Sequence, residues 1–171
     1  MGSVGLARLG APIPLSEDHE LEGFLCTEPT LEKWLKERAR KNELSGASRT
    51  YVVCVGHAVV GYYCLSAGAV SLERAPSRIR RNMPDPIPVI VLGRLAVHSD
   101  WVKQGIGQGL LKDALLRSIA ASGKVGARAL LCHAISDRAK DFYLERGFVE
   151  SPVDPMTVML SLMKLASPRG V

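Results

Sequence analysis

Apolar and polar positions in this chain follow two different periods, and the switches between them mark out its elements. Residues 50–55 and 58–67 are largely apolar runs joined across Gly56-His57, which predicts a β-hairpin. Upstream, Leu31, Trp34, Leu35 and Leu44 fall mainly on one face of a 3.6-residue period over residues 30–44, with Lys33, Lys36, Arg40 and Lys41 elsewhere, which predicts an amphipathic helix. The acidic stretch 16–22 reads as a short helix, and Ile13 as part of an edge strand. Apolar runs ending at Val97, over 127–134 and over 157–163 read as strands. Between them lie a helix running from the 104–109 segment to about Ala121, and a second carrying Ala139, Phe142 and Tyr143. Ser136 caps the start of that second helix and Gly147 stops it. The order is mixed α/β, without an internal repeat.

Gln104-Gly105-Ile106-Gly107-Gln108-Gly109 sits between the strand ending at Val97 and the helical pattern beginning Leu110-Leu111. Three glycines at alternate positions leave no Cβ in the way, so N–H groups at the helix start can approach an anion closely, assisted by the positive end of the helix dipole. A pyrophosphate fits this arrangement. The spacing matches neither Gly-x-x-x-x-Gly-Lys-Ser/Thr nor the Gly-x-Gly-x-x-Gly of a dinucleotide fold. A glycine-rich helix cap without a ligand is the plain alternative.

Composition narrows the class. The chain has 171 residues, 47% of them hydrophobic, enough for one domain spanning 1–171, with residues 1–12 weakly ordered and 166–171 a tail. The apolar runs fall short of the roughly 18 residues needed to cross a bilayer, and the first residues lack a signal-type pattern, so a cytoplasmic protein without a membrane partner is expected. Cys26, Cys54, Cys64 and Cys132 are scattered and read as free thiols. His98 and His133 lie near the ends of predicted strands without an adjacent carboxylate, a poor metal site, so no metal is expected.

The net charge is +5, and Arg74, Arg78, Arg80 and Arg81 crowd into eight residues of the proline-rich connection 71–88. Guanidinium groups hold phosphate oxygens bidentately, so this segment suits nucleic acid, although a solvated loop is the commoner fate of such runs. Arg94 stands within the apolar strand before the glycine loop, where a charge needs a partner, either a carboxylate or a bound anion.

The order Gln-x-x-Gly-x-Gly after a strand resembles the acetyl-CoA signature of the GNAT N-acetyltransferases, and Tyr143-Leu144-Glu145-Arg146-Gly147-Phe148 resembles the end of their core. The segment from Arg80 to Val97 is similar to that of GNAT toxins of type II toxin–antitoxin modules, the TacT type. This likeness continues through the loop to Phe148 and more faintly back to Trp34-Leu35. The resemblance implies an α/β (α+β) fold in which a mixed central sheet, flanked by helices, splays between two central parallel strands. It implies acetyl-CoA as co-substrate, held by Gln104, Gly105, Ile106, Gly107, Gln108 and Gly109 and by the backbone of Leu95, Ala96 and Val97. Tyr143 would be catalytic, near the coenzyme A sulfur. Such toxins acetylate the α-amine of aminoacyl-tRNA and block translation; by position, Lys36, Arg80, Arg81 and Arg94 would bind the tRNA. A ribbon-helix-helix antitoxin would neutralise the toxin and join it in repressing their operon, so that operator DNA is met only through that complex. Whether the chain forms a homodimer stays open. So do a GNAT reaction on a small amine or protein N-terminus, and a non-catalytic acyl-CoA or nucleic-acid-binding module.

The strand before the loop carries no carboxylate from Pro88 to Val97, where many GNAT enzymes acting on basic amines place a glutamate. A lysine amine of pKa ~10.4 is only about 0.04% neutral at pH 7, whereas an α-amine near ~7.8 is about 14% neutral. The missing base therefore favours an acceptor already partly deprotonated.

Overall fold

The computed structural model describes residues 9–163, which form two compact units. One contains the described residues up to Ser66 together with Arg94–Ala114, and the other contains Ala67–Gly93 and the described residues from Leu115 onward.

In the first unit, β1 (Ile13–Pro14) pairs antiparallel with β2 (Arg49–Val55), which pairs antiparallel with β3 (Ala58–Val70) through the predicted turn at Gly56-His57. Two helices, α1 (Pro29–Glu37) and α2 (Ala39–Ser45), take the place of the single predicted one. Leu31, Leu35 and Ala39 face the core, with Phe24, Val52 and Tyr62, whereas Leu44 is 85% exposed. The chain breaks at Arg38, whose N–H closes α1 on the Trp34 carbonyl while its own carbonyl opens α2 by accepting from the Asn42 N–H. That break turns Leu44 away from the stripe to which its spacing assigns it. Residues 16–22 form turns, not the expected helix. Glu20 bridges Ala58 in parallel fashion, and the Arg40 guanidinium donates to the carbonyls of Ser16, Glu17 and His19. Long-range backbone partners there outweigh a weak local helix preference.

The second unit holds the parallel pair. The strand β4 (Ile87–Val97) is in register with β5 (Ala129–His133) from Val89–Ala129 to Leu92–Cys132, and β5 pairs antiparallel with β7 (Thr157–Ser161), which carries the two-residue β6 (Val149–Glu150). Register with β5 ends at Leu92, yet β4 runs on to Val97. Val70, Ala75, Ile79, Ile87, Val89, Ala129, Leu131 and Met159 form this unit's core. The glycine-rich segment leads into the helix α4 (Ile106–Ser122). The mixed α/β order, with one parallel strand pair among the described residues, agrees with the expected fold class.

The proline-rich connection is ordered as a short turn at Leu72–Arg74 and a one-turn helix, α3 (Ser77–Arg80). A last helix, α5 (Asp137–Leu144), begins as predicted, with Ser136 Oγ accepting from the Ala139 N–H at 3.1 Å, and ends before Gly147, whose φ of +98° favours glycine.

Candidate active site

In the first unit, β4 leads into the glycine-rich segment through a turn held by His98. Its Nδ1 accepts from the Asp100 N–H at 3.0 Å, so the proton sits on Nε2 and is donated to the Gly23 carbonyl, also at 3.0 Å. Both ring nitrogens are committed to the backbone, which makes His98 structural. Gly105 follows with φ +82°, and its carbonyl accepts the Gly109 N–H at 3.0 Å as the opening turn of α4. The N–H groups of Ile106, Gly107 and Gln108 therefore precede the hydrogen-bonded ladder, as the first amides of any helix do. Gln104, Gly105, Gln108 and Gly109 are exposed, while Ile106 turns inward. Ile106 and Leu110 lie so close to β3 that a Cβ on Gly61 would stand 2.9 Å from Ile106 Cγ2 and 3.2 Å from Leu110 Cδ1. The helix start is thus fixed on a bare strand position, and its exposed amides can receive an anion.

Beside it, the end of β4 turns Ala96 into the core and leaves Leu95 and Val97 half-buried. The Arg94 guanidinium lies 5.1 Å from the centroid of Trp34, which stacks on Tyr62 with centroids 6.0 Å apart and planes 6° from parallel. Trp34 thus contributes to Arg94's surroundings at the position where the sequence demands a partner. Lys36, two residues along α1, pairs with Glu32 at 3.5 Å.

In the second unit, Tyr143 on α5 is 5% exposed, its ring packed against Phe142 and Phe148 at centroid distances of 5.3 and 5.2 Å. Its hydroxyl is hydrogen-bonded with the Cys132 thiol on β5. Burial, first, and then the neighbouring sulfur push the phenol well above its ordinary range; burial likewise raises the Cys132 thiol to about 11. Both groups are protonated throughout the physiological range.

Arg78, Arg80 and Arg81 are exposed around α3, whereas Arg74 is paired with Asp154 at 3.2 Å. The turn is braced by Arg128, which the sequence does not single out. Its Nε donates to the Ile79 carbonyl at 3.0 Å, and its Nη2 reaches the carbonyls of Arg78 and Arg81 at 3.4 and 3.5 Å. The remaining carbonyls have backbone partners: Ser77 accepts from the Arg81 N–H and Arg80 from the Met83 N–H. One guanidinium therefore completes the C-terminal cap of α3.

His133, expected to lack a carboxylate, has one at the distance of a single hydroxyl. Its Nδ1 lies 2.8 Å from Thr157 Oγ1, which donates to Asp154 Oδ2 at 2.7 Å. The signal is visible only in retrospect: Asp154 and Thr157 flank one turn, but their pairing with β5 is long-range. Among the described residues no group of three His, Cys, Asp or Glu side chains could hold a metal ion, and no helix is long and apolar enough to cross a membrane.

Of the residues singled out in the sequence, Lys36, Arg94, Leu95–Val97 and Gln104–Gly109 thus fall in the first unit, and Arg80, Arg81 and Tyr143 in the second.

Residues 46–150 match the acetyltransferase (GNAT) domain. The chain is 45% identical over 154 residues to a tRNA-acetylating toxin of Mycobacterium tuberculosis, covering 90% of this chain and 92% of the relative. It superposes on AtaT complexed with acetyl-methionyl-tRNAfMet with a TM-score of 0.85 at 25% identity, over 92% of this chain and 96% of that one. A tyrosine-to-phenylalanine mutant of AtaT, bound to the C-terminus of the antitoxin AtaR and to acetyl-CoA, gives a TM-score of 0.78 at 26% identity over the same shares. Matched over more than half its length by the domain and over nine-tenths by a curated relative, the chain belongs to the GNAT acetyltransferase family.

Proposed function

We propose that this protein is a toxin that moves acetyl from acetyl-CoA to the α-amine of aminoacyl-tRNA, and so blocks translation in the cytoplasm. The observation that carries this reading is the 45% identity to the tRNA-acetylating toxin across nine-tenths of the chain. Its partners are charged tRNA and an antitoxin of ribbon-helix-helix type, through which it meets operator DNA, and the whole chain acts as one catalytic domain.

In the proposed reaction, coenzyme A lays its pyrophosphate against the amides of Ile106, Gly107 and Gln108, with Gln104, Gly105 and Gly109 lining the approach. Backbone N–H groups of Leu95, Ala96 and Val97 hold the pantetheine arm and polarise the thioester carbonyl. The neutral amine attacks that carbonyl, a C–N bond forms, and the C–S bond breaks. Tyr143 meets the departing sulfur. Because burial disfavours its phenolate, it serves as a proton-retaining donor that stabilises the thiolate by hydrogen bonding, and the proton shed by the amine balances the products. Lys36, Arg80, Arg81 and Arg94 supply the positive charge for the tRNA phosphates.

The test is incubation with labelled acetyl-CoA and either charged or deacylated total tRNA. Label on the amino acid of charged tRNA alone is the expected result. Equal labelling of both, or of neither, would remove the tRNA assignment and leave the small-amine or binding-module alternatives.

A further inference from the structure

The chain of contacts Asp154–Thr157–His133 has only one consistent direction. Asp154 is held ionised by hydrogen bonds from the Thr157 hydroxyl and the Met156 N–H, with Arg74 alongside, and its carboxyl lies below the ordinary range. A carboxylate only accepts, so the single Thr157 proton is donated to Asp154 Oδ2. Thr157 Oγ1 must then accept, and its partner at 2.8 Å is His133 Nδ1, which carries the ring's proton. In the neutral imidazole this leaves a lone pair on Nε2. His133 is exposed, so that lone pair is available to a ligand. Thr157, fully buried, makes the arrangement rigid.

The position of this group gives it a use. His133 is the last residue of β5, just beyond Leu92–Cys132 where the parallel register with β4 ends. Ligands of sheets with parallel strands bind outside the carboxyl ends of those strands. Side chains alternate along a strand, so Cys132, the residue before His133, meets the Tyr143 hydroxyl from the opposite face of the sheet, and the two groups flank the same strand end from its two sides. Meanwhile β4 lacks a carboxylate, and the amine must still lose a proton once its nitrogen has bonded to carbon.

We propose that His133 Nε2 receives that proton, with Thr157 and Asp154 as positioning residues that hold the ring in the required tautomer. As the C–N bond forms, the ammonium proton of the tetrahedral species passes to Nε2; as the C–S bond breaks, the sulfur takes the electron pair under the Tyr143 hydroxyl. The imidazolium then returns its proton to solvent. This inference rests on the aminoacyl-tRNA reading above and adds the missing base to it.

The test has two arms. Nitrogen-15 NMR of the intact protein should show neutral His133 with Nδ1 protonated and Nε2 bare, and Thr157→Val should mix the tautomers; an Nε2–H tautomer in the native chain would overturn the proposal. In single-turnover transfer to charged tRNA, His133→Ala should lower the rate on the order of 10²-fold, the lower range of general acid–base effects, with acetyl-CoA and tRNA affinity retained. Added imidazole should restore part of that rate for His133→Ala but not for Thr157→Val. Should Thr157→Val fail to fold, Thr157→Ser, which keeps the hydroxyl, should retain the native rate and tautomer. An unchanged His133→Ala rate, or a loss confined to tRNA affinity, would sink the base assignment. Failure of the native protein to label charged tRNA would instead sink the underlying reading.

Discussion

The Tyr143 hydroxyl and the Cys132 thiol hydrogen-bond to each other in the interior, where burial keeps both protonated. Tyr143→Phe removes only the hydroxyl and leaves the ring against Phe142 and Phe148. Transfer to charged tRNA should fall by about 10²–10³-fold, the usual range for a lost hydrogen-bond donor to developing charge, while acetyl-CoA binding measured by calorimetry stays near native. A proportionate loss of binding would assign the tyrosine to packing.

The same burial makes stability sensitive to alkali. Cys54 and Cys132 are raised from 9.0 to about 11, and Tyr143 is raised well above 10.0. A raised folded-state value means stability that is complete below the unfolded-state pKa and lost as pH climbs toward the folded one, because the unfolded chain ionises first. Thermal stability should therefore hold to about pH 9, the thiol reference value, and decline from there to about 11. Cys132→Ala should soften that decline. A melting temperature flat across this window would contradict the assignment.

Two glycines of the loop should respond oppositely to alanine. Gly105 has φ +82°, a conformation that disfavours any Cβ, and Gly105→Ala should cost about 1–2 kcal/mol. Gly109 lies in the first turn of α4 with nothing within 4 Å of where a Cβ would stand, so Gly109→Ala should stabilise by about 0.5–1 kcal/mol. Denaturant unfolding of the two variants checks the sign of each.

Arg80 and Arg81 are exposed at the C-terminal end of α3, where they can meet phosphates. Replacing both with alanine should weaken charged-tRNA binding and lower its salt dependence by about 0.7–0.9 per arginine in the log–log slope. Acetyl-CoA affinity should not change. An unaltered slope would place the RNA elsewhere.

Arg128 acts on those arginines through the backbone. Arg128→Met keeps much of the side-chain volume but leaves the carbonyls of Arg78, Ile79 and Arg81 without their donor. The loss should be about 1–3 kcal/mol of stability, as for hydrogen bonds from charged groups, with a higher KM for tRNA and an unchanged KM for acetyl-CoA. Native tRNA affinity in that variant would show that the turn needs no brace.

Much of this was legible in the sequence because it is local. The hairpin at Gly56-His57, the glycine-rich helix start and the Ser136 cap each depend on residues a few positions apart, and all three form as expected. What escaped depends on distant partners. Nothing near Arg38 announces the break between α1 and α2, and residues 16–22 are held by Arg40 and Ala58, which no local pattern connects to them. His133 looks bland until β7 brings Thr157 alongside it, and Arg128 is one more surface arginine until α3 folds beneath it. The local signals are sufficient for the glycine-rich loop; the Asp154–Thr157–His133 chain and the Arg128 brace needed tertiary structure.

Gly61 lies more than forty positions from the helix start it accommodates, yet the absence of its side chain decides how near α4 can come to β3. The hairpin and the glycine-rich loop therefore form a matched pair, and a loop transplanted from a relative keeps its aim only if the recipient strand is equally bare at that point. Recombination between such proteins is constrained by a residue that lies outside the loop itself.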